Sequence, residues 1–162
     1  VRDGCEVLVQ ALRLGGRGME RAAATVAGLM GTRDPQQVLA SAKSTFRGLH
    51  SSSIGLEDLG TSADTGLNEK VFAIKLGQCD AFISHSWHDD GAAKYAALAS
   101  WASAFENEHH RLPVVWLDKA SINQDDIEAS LACLPVYLAG CKTLLVLAGP
   151  TCAPQPPARS LP

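Results

Sequence analysis

Two histidines, two serines and a tryptophan crowd into one stretch, Ser84-His85-Ser86-Trp87-His88, and the carboxylates of Asp89 and Asp90 follow at once. Such a set could do several kinds of chemistry. His85 and His88 stand three residues apart and, with either aspartate, offer nitrogen and oxygen donors to a metal. Metal ligands normally converge from separate elements, however, and the sequence holds no second cluster of matching geometry. His109-His110 falls after the following helical pattern, at the opposite end of the expected sheet. A capped, solvated turn is the simpler reading. Ser84 or Ser86 could be a nucleophile with His85 or His88 as base. Yet no G-x-S-x-G elbow is present, and neighbours in sequence rarely form a working Ser–His pair. No glycine-rich phosphate loop opens either helix of this half. Neither a metal site nor a catalytic residue is expected.

The second informative stretch is Trp116-Leu117-Asp118-Lys119-Ala120-Ser121-Ile122-Asn123-Gln124-Asp125-Asp126. Asp118 ends an apolar run, as Ser84 does. If both runs are parallel strands, their carboxyl ends share one sheet edge, where open α/β sheets bind ligands. A carboxylate, a lysine and an Asn-Gln pair would then face Trp87 across one crevice. The competing reading is turn chemistry, with Asp118 as a cap and Asn123 and Asp125 in turns.

The elements that must position these groups read as strand, helix, strand, helix, strand. Residues 80–84 form a short apolar strand. Residues 91–107 carry Tyr95, Leu98, Trp101, Ala102 and Phe105 at helical spacing, with Asp89 or Asp90 as N-cap. Residues 113–117 are continuously apolar, as in a buried parallel strand. Residues 127–138 give a second helix with Leu131, Leu134, Val136 and Leu138 as its apolar set, and Pro135 should kink or divide it. Residues 143–148 form the third strand. The fold class is therefore α/β, an incomplete doubly wound parallel sheet of three strands.

The flanking regions are expected to stand apart from that sheet. Residues 1–50 read as a helical N-terminal region. In it Met19, Ala23, Val26, Ala27 and Met30 recur at helical spacing. A better-punctuated helix starts with Asp34 as N-cap and Pro35 behind it, and places Val38, Leu39, Ala42, Phe46 and Leu49 on one face. Residues 51–70, rich in Ser, Gly, Thr and Asp, read as a linker. Residues 71–76 alternate as a short lead-in to the 71–151 domain, and residues 152–162 form a Pro-rich disordered tail.

The composition narrows the classes further. A net charge of −3 with scattered Lys and Arg excludes an electrostatic case for nucleic acid, and no basic amphipathic stripe points to a membrane. No apolar run is long enough for a transmembrane helix. Five cysteines at irregular spacing, without a C-x-x-C pair, suit a reducing, cytoplasmic setting better than a disulfide framework.

Together the two motif stretches resemble the Toll/interleukin-receptor (TIR) family. Its first strand ends D-x-F-[IL]-S-[HY]-[SA], and here stand Asp80-Ala81-Phe82-Ile83-Ser84-His85-Ser86. Its second strand ends in Asp, matched by Asp118. The stretch 116–126 is also similar to the W-[IL]-D-x-x-C-I-N-Q-D-D signature of heterokaryon-incompatibility (HET) domains, with Ser121 in place of the cysteine. The resemblance covers roughly residues 79–151 and implies a TIR/flavodoxin-like fold. It implies an interaction loop of Lys119, Ser121, Ile122, Asn123, Gln124, Asp125 and Asp126, with the chain itself or other TIR-like domains as partners. It also implies that Ser84, His85, Ser86, Trp87, Asp118 and Lys119 border a nucleotide pocket. Some TIR domains cleave NAD with a glutamate in a W-C-x-x-E-L segment beyond the third strand, which this sequence does not contain; Glu128 lies on an earlier helix. The leading expectation is a truncated signalling module that acts by self-association through the loop and an uncovered sheet, with no cofactor. The alternatives are a fragment of an NAD-cleaving enzyme, with NAD as substrate only in a longer form, and a non-functional gene-model fragment.

Overall fold

Strand β4 (Cys79–His85) is central to a six-stranded sheet in the computed structural model, which describes residues 8–13, 19–29, 34–124 and 126–149. It pairs in parallel with β5 (Val114–Trp116) on one side and with β6 (Cys141–Ala148) on the other. Helix α4 (Gly91–His109) connects β4 to β5, and α6 (Ile127–Ala139) connects β5 to β6. Because β4 lies between its two successors, the two crossovers fall on opposite faces of the sheet, as right-handed connections require. The expected strand–helix–strand–helix–strand core is present, and the class is α/β.

The sheet is not left with three strands. Residues Leu8–Arg13 form β1, which runs antiparallel to β6 from Leu8 opposite Ala148 to Arg13 opposite Thr143. Beyond β5, β2 (Arg47–His50) adds antiparallel through Leu49 and His50, and β3 (Phe72–Ala73) closes that edge. The expectation of an uncovered edge and face is corrected. The unpaired backbone groups of β5 and β6 are satisfied from the N-terminal region. That region is accordingly not purely helical. It contributes α1 (Met19–Leu29) and α2 (Pro35–Thr45), with Asp34 capping α2 through the Gln36 amide at 3.0 Å. The second helix stops at Thr45, so Phe46 and Leu49, expected on its apolar face, lie in extended chain and are still buried.

Two apolar layers fill the faces. One gathers Ala23, Ala27, Val38, Ala42, Phe46, Trp116, Cys133, Val136 and Tyr137, from α1, α2, α6 and the sheet. The other holds Leu49, Ala81, Ile83, Leu98, Val115, Leu117, Leu145 and Leu147 with Ile54, Leu59 and Leu67. Those last three belong to the supposed linker, so residues 51–70 are part of the domain. Leu59 sits in the short helix α3 (Leu56–Gly60), which packs on α4, Leu67 sits in a 3-10 turn, and Ile54 lies in extended chain just before α3. Buried Asp58 organises the segment, accepting from the Gly55 amide at 2.7 Å and from the Thr65 hydroxyl. Gly91 at the start of α4 lies so close to α3 that an added Cβ would stand 2.5 Å from the Gly60 Cα. The Ser/Gly composition that suggests a linker thus serves close packing.

Helix α6 keeps part of its expected face: Val136 is fully buried and Leu134 packs partly buried against the core. Ser130, Cys133, Val136 and Tyr137 are buried, whereas Leu131 is 49% exposed. Pro135 does not divide it, since the helix runs unbroken from Ile127 to Ala139. The bond Pro135 forgoes is to the carbonyl of Leu131, on the half-exposed flank of the helix. At the amino edge of the sheet, buried Asp80 accepts from both Arg111 guanidinium nitrogens at 2.6 and 2.7 Å, from the Val114 amide at 2.9 Å and from Lys142 Nζ at 2.9 Å. One carboxylate thereby ties the starts of β4, β5 and β6 together. The predicted Pro-rich tail lies outside the described residues.

Candidate functional site

At its carboxyl end β4 stops at His85, and the chain turns through Ser86, Trp87 and His88 into α4. The turn bonds to itself. Ser86 Oγ accepts from the His88 amide at 3.2 Å, and Asp90, not Asp89, caps α4 by accepting from the Ala93 amide at 2.7 Å. Asp89 reaches the end of β6 instead, accepting from the Gly149 amide at 3.1 Å. A Cβ on Gly149 would meet the Asp89 carboxyl carbon at 2.4 Å. Asp89 therefore closes the crevice between β4 and β6, and the open space lies on the β5 side.

Lys94, in the first turns of α4, is fully buried and donates from Nζ to the Ser86 carbonyl at 2.8 Å. Burial pushes its ammonium below the ordinary lysine range, against the opposing pull of Asp89, Asp90 and Asp118. The same Nζ stands 5.6 Å from the centre of the Trp87 ring. Lys119 Nζ stands 5.8 Å from it and donates to the Thr61 carbonyl at 2.8 Å. Trp87 thus has two cations within reach of its ring.

Asp118 opens the one-turn helix α5 (Asp118–Ser121) and accepts from the Lys119 amide at 2.7 Å. Its carboxylate lies 3.7 Å from His85 Nε2, a contact longer than a hydrogen bond. Burial works to raise the Asp118 carboxyl. His85, the Lys119 amide and the Lys119 charge outweigh it and hold the group below the usual carboxylate range. The His85 side chain is only 1% exposed and meets the Trp87 ring edge-on at 4.3 Å. Neither of its ring nitrogens has a hydrogen-bond partner among the described residues. A buried imidazole left so is rare and marks a position of strained polar accounting.

Between these groups opens a cleft of about 500 Å³. Trp87, Asp118, Lys119, Ile122 and Gln124 line it, whereas Asn123, expected beside Gln124, does not. Ser84, exposed on β4, and Ser86, used in the turn, do not line it; His85 lies beneath Trp87. The far wall was missed. Ser62, Asp64 and Asn68 supply it from the segment read as a linker. The signal for it was the trio Ile54, Leu59 and Leu67, spaced as anchors rather than scattered. The loop is a joined unit with α6: Asp126 caps the helix through the Ala129 amide at 3.1 Å, and the Asn123 amide donates to Ser130 Oγ at 3.3 Å. Ser121 is buried beside it, and Asp125 lies outside the described residues.

The arrangement offers an aromatic face, an ammonium, a carboxylate and amides to one ligand or to a partner's side chains. Among the described residues no group of three or more His, Cys, Asp or Glu side chains could hold a metal ion, and no helix is long and apolar enough to cross a membrane. No protein-family model matches the chain, and comparisons with curated proteins and with solved structures return no match.

Proposed function

We propose that the chain is a TIR-like signalling module that self-associates through the loop 119–126 and the first two turns of α6. One observation carries this reading. Ile127 and Leu131, one turn apart, are 47% and 49% exposed directly after the loop. Large apolar side chains in such a pair are wasted on solvent but useful on a partner. A second copy fits because the same surface presents both signs, Lys119 with Asp118 and Asp126, beside an apolar ridge. A two-fold contact needs such a self-complementary patch.

The test is sedimentation velocity over a concentration series. The native chain is expected to shift from monomer to dimer, and Ile127→Asp with Leu131→Asp to stay monomeric with an unchanged melting temperature. A native chain that remains monomeric at several hundred micromolar would sink the proposal.

A different observation favours a second reading, an NAD-handling site. Trp87 lines the cleft with Lys119, and its ring could stack a base while Lys119 meets phosphate. NAD titrated against the native chain should then bind, and Trp87→Ala should weaken binding about tenfold or more. No binding at millimolar NAD would dispose of this reading.

A further inference from the structure

A second cleft, of about 320 Å³, shares Asn68, Ile122 and Gln124 with the first. It is walled on its other side by the N-terminal region, which brings Arg47 from β2 into the lining. Arg47 has no acidic partner among the described residues, and none of the described lining residues is acidic. Ser44, Thr45, Asn68, Asn123 and Gln124 add polar groups to the lining, and two buried hydroxyls join them. Ser121 and Ser130 are 5% and 6% exposed, and each accepts a backbone amide, from Leu117 at 3.4 Å and from Asn123 at 3.3 Å. With its oxygen used in that way, each serine keeps its O–H hydrogen without an acceptor among the described residues. Both hydroxyls line the cleft, so an acceptor placed there can take that hydrogen bond.

We propose that this cleft binds a small organic phosphate. The guanidinium fork supplies the positive charge of the cleft, and the hydroxyls and side-chain amides around it can each donate; together they match an oxyanion with three terminal oxygens better than a two-oxygen carboxylate. Val71 and Ile122 give the lining an apolar part against which a carbon body can lie. The site depends on the N-terminal region folding onto the motif-bearing half, and it stands whether or not the chain self-associates.

Isothermal titration with ribose 5-phosphate, inorganic phosphate and ribose tests it. Ribose 5-phosphate is expected to bind, inorganic phosphate to bind more weakly, and ribose not at all. Arg47→Gln, a change at an exposed side chain, should weaken ribose 5-phosphate binding about tenfold or more, the loss of one charge-assisted pair. Lys75→Gln, outside the cleft lining, should leave it unchanged. Three results would overturn the proposal: no ribose 5-phosphate binding at millimolar concentration, equal binding of ribose, or equal losses in the Arg47 and Lys75 variants.

Discussion

Replacing Asp80 with alanine is expected to destabilise the fold by about 3 kcal/mol, the lower end of what breaking a buried ion pair costs. The lower end applies because the two cations are not buried with the carboxylate. The Arg111 and Lys142 side chains are each 46% exposed, against 1% for Asp80, so both can return to water when the acid is removed. The Val114 amide cannot, and it loses its acceptor at the start of β5. Arg111→Ala should cost less, because Lys142 and the Val114 amide would still compensate the buried charge. Chemical denaturation of the two variants and the native chain measures both differences. Equal losses would show that the pair is worth only its exposed half.

The same carboxylate sets an acid limb. Burial raises the Asp80 carboxyl, but Arg111, the Val114 amide and Lys142 together hold it below the ordinary carboxylate range. A group whose folded value is depressed stabilises fully above its unfolded value, about pH 4. That contribution is lost as pH falls through the folded value. Stability from this network should therefore be flat from neutral pH to about pH 4 and fall below it, and Asp80→Asn should flatten the fall.

How far all this could be read from the sequence depends on which signals were local. The strand ends carrying Ser84 to Trp87 and Asp118 are legible because a parallel sheet fixes where its carboxyl ends go. The amino edge was equally legible in principle. Asp80, Arg111 and Lys142 each stand at or just before the start of a strand, hence at one edge. The antiparallel additions were not legible. β1 and β2 have no pattern of their own that selects a partner; they exist as strands because β6 and β5 offer unpaired edges. The exposed flank of α6 also escaped periodicity, since Leu131 looks as apolar as Cys133, Leu134 and Val136 until the layer from α1 and α2 decides which side is buried.

That layer makes Trp116 the residue whose truncation should cost most, about 4 kcal/mol for Trp116→Ala. Its ring is 1% exposed, stacks on Phe82 at 4.3 Å and meets Tyr137 at 6.0 Å; Tyr137 in turn stacks on Phe46 at 5.4 Å. An aromatic chain therefore runs from β4 through β5 and α6 to the end of α2, joining the motif-bearing half to the N-terminal region. Removing its second member opens a cavity that three elements border, and a midpoint loss of about 10 °C or more should follow. Trp116→Phe is expected to cost much less. The Trp116 indole N–H is buried without a partner among the described residues, so phenylalanine gives up volume and also an unmet donor. The comparison discriminates between two origins of stability. If phenylalanine costs as much as alanine, the indole's full shape is what holds the N-terminal region against the sheet. If it costs under about 1.5 kcal/mol, the stacked contact with Phe82 carries the joint and the indole nitrogen is a tolerated burden.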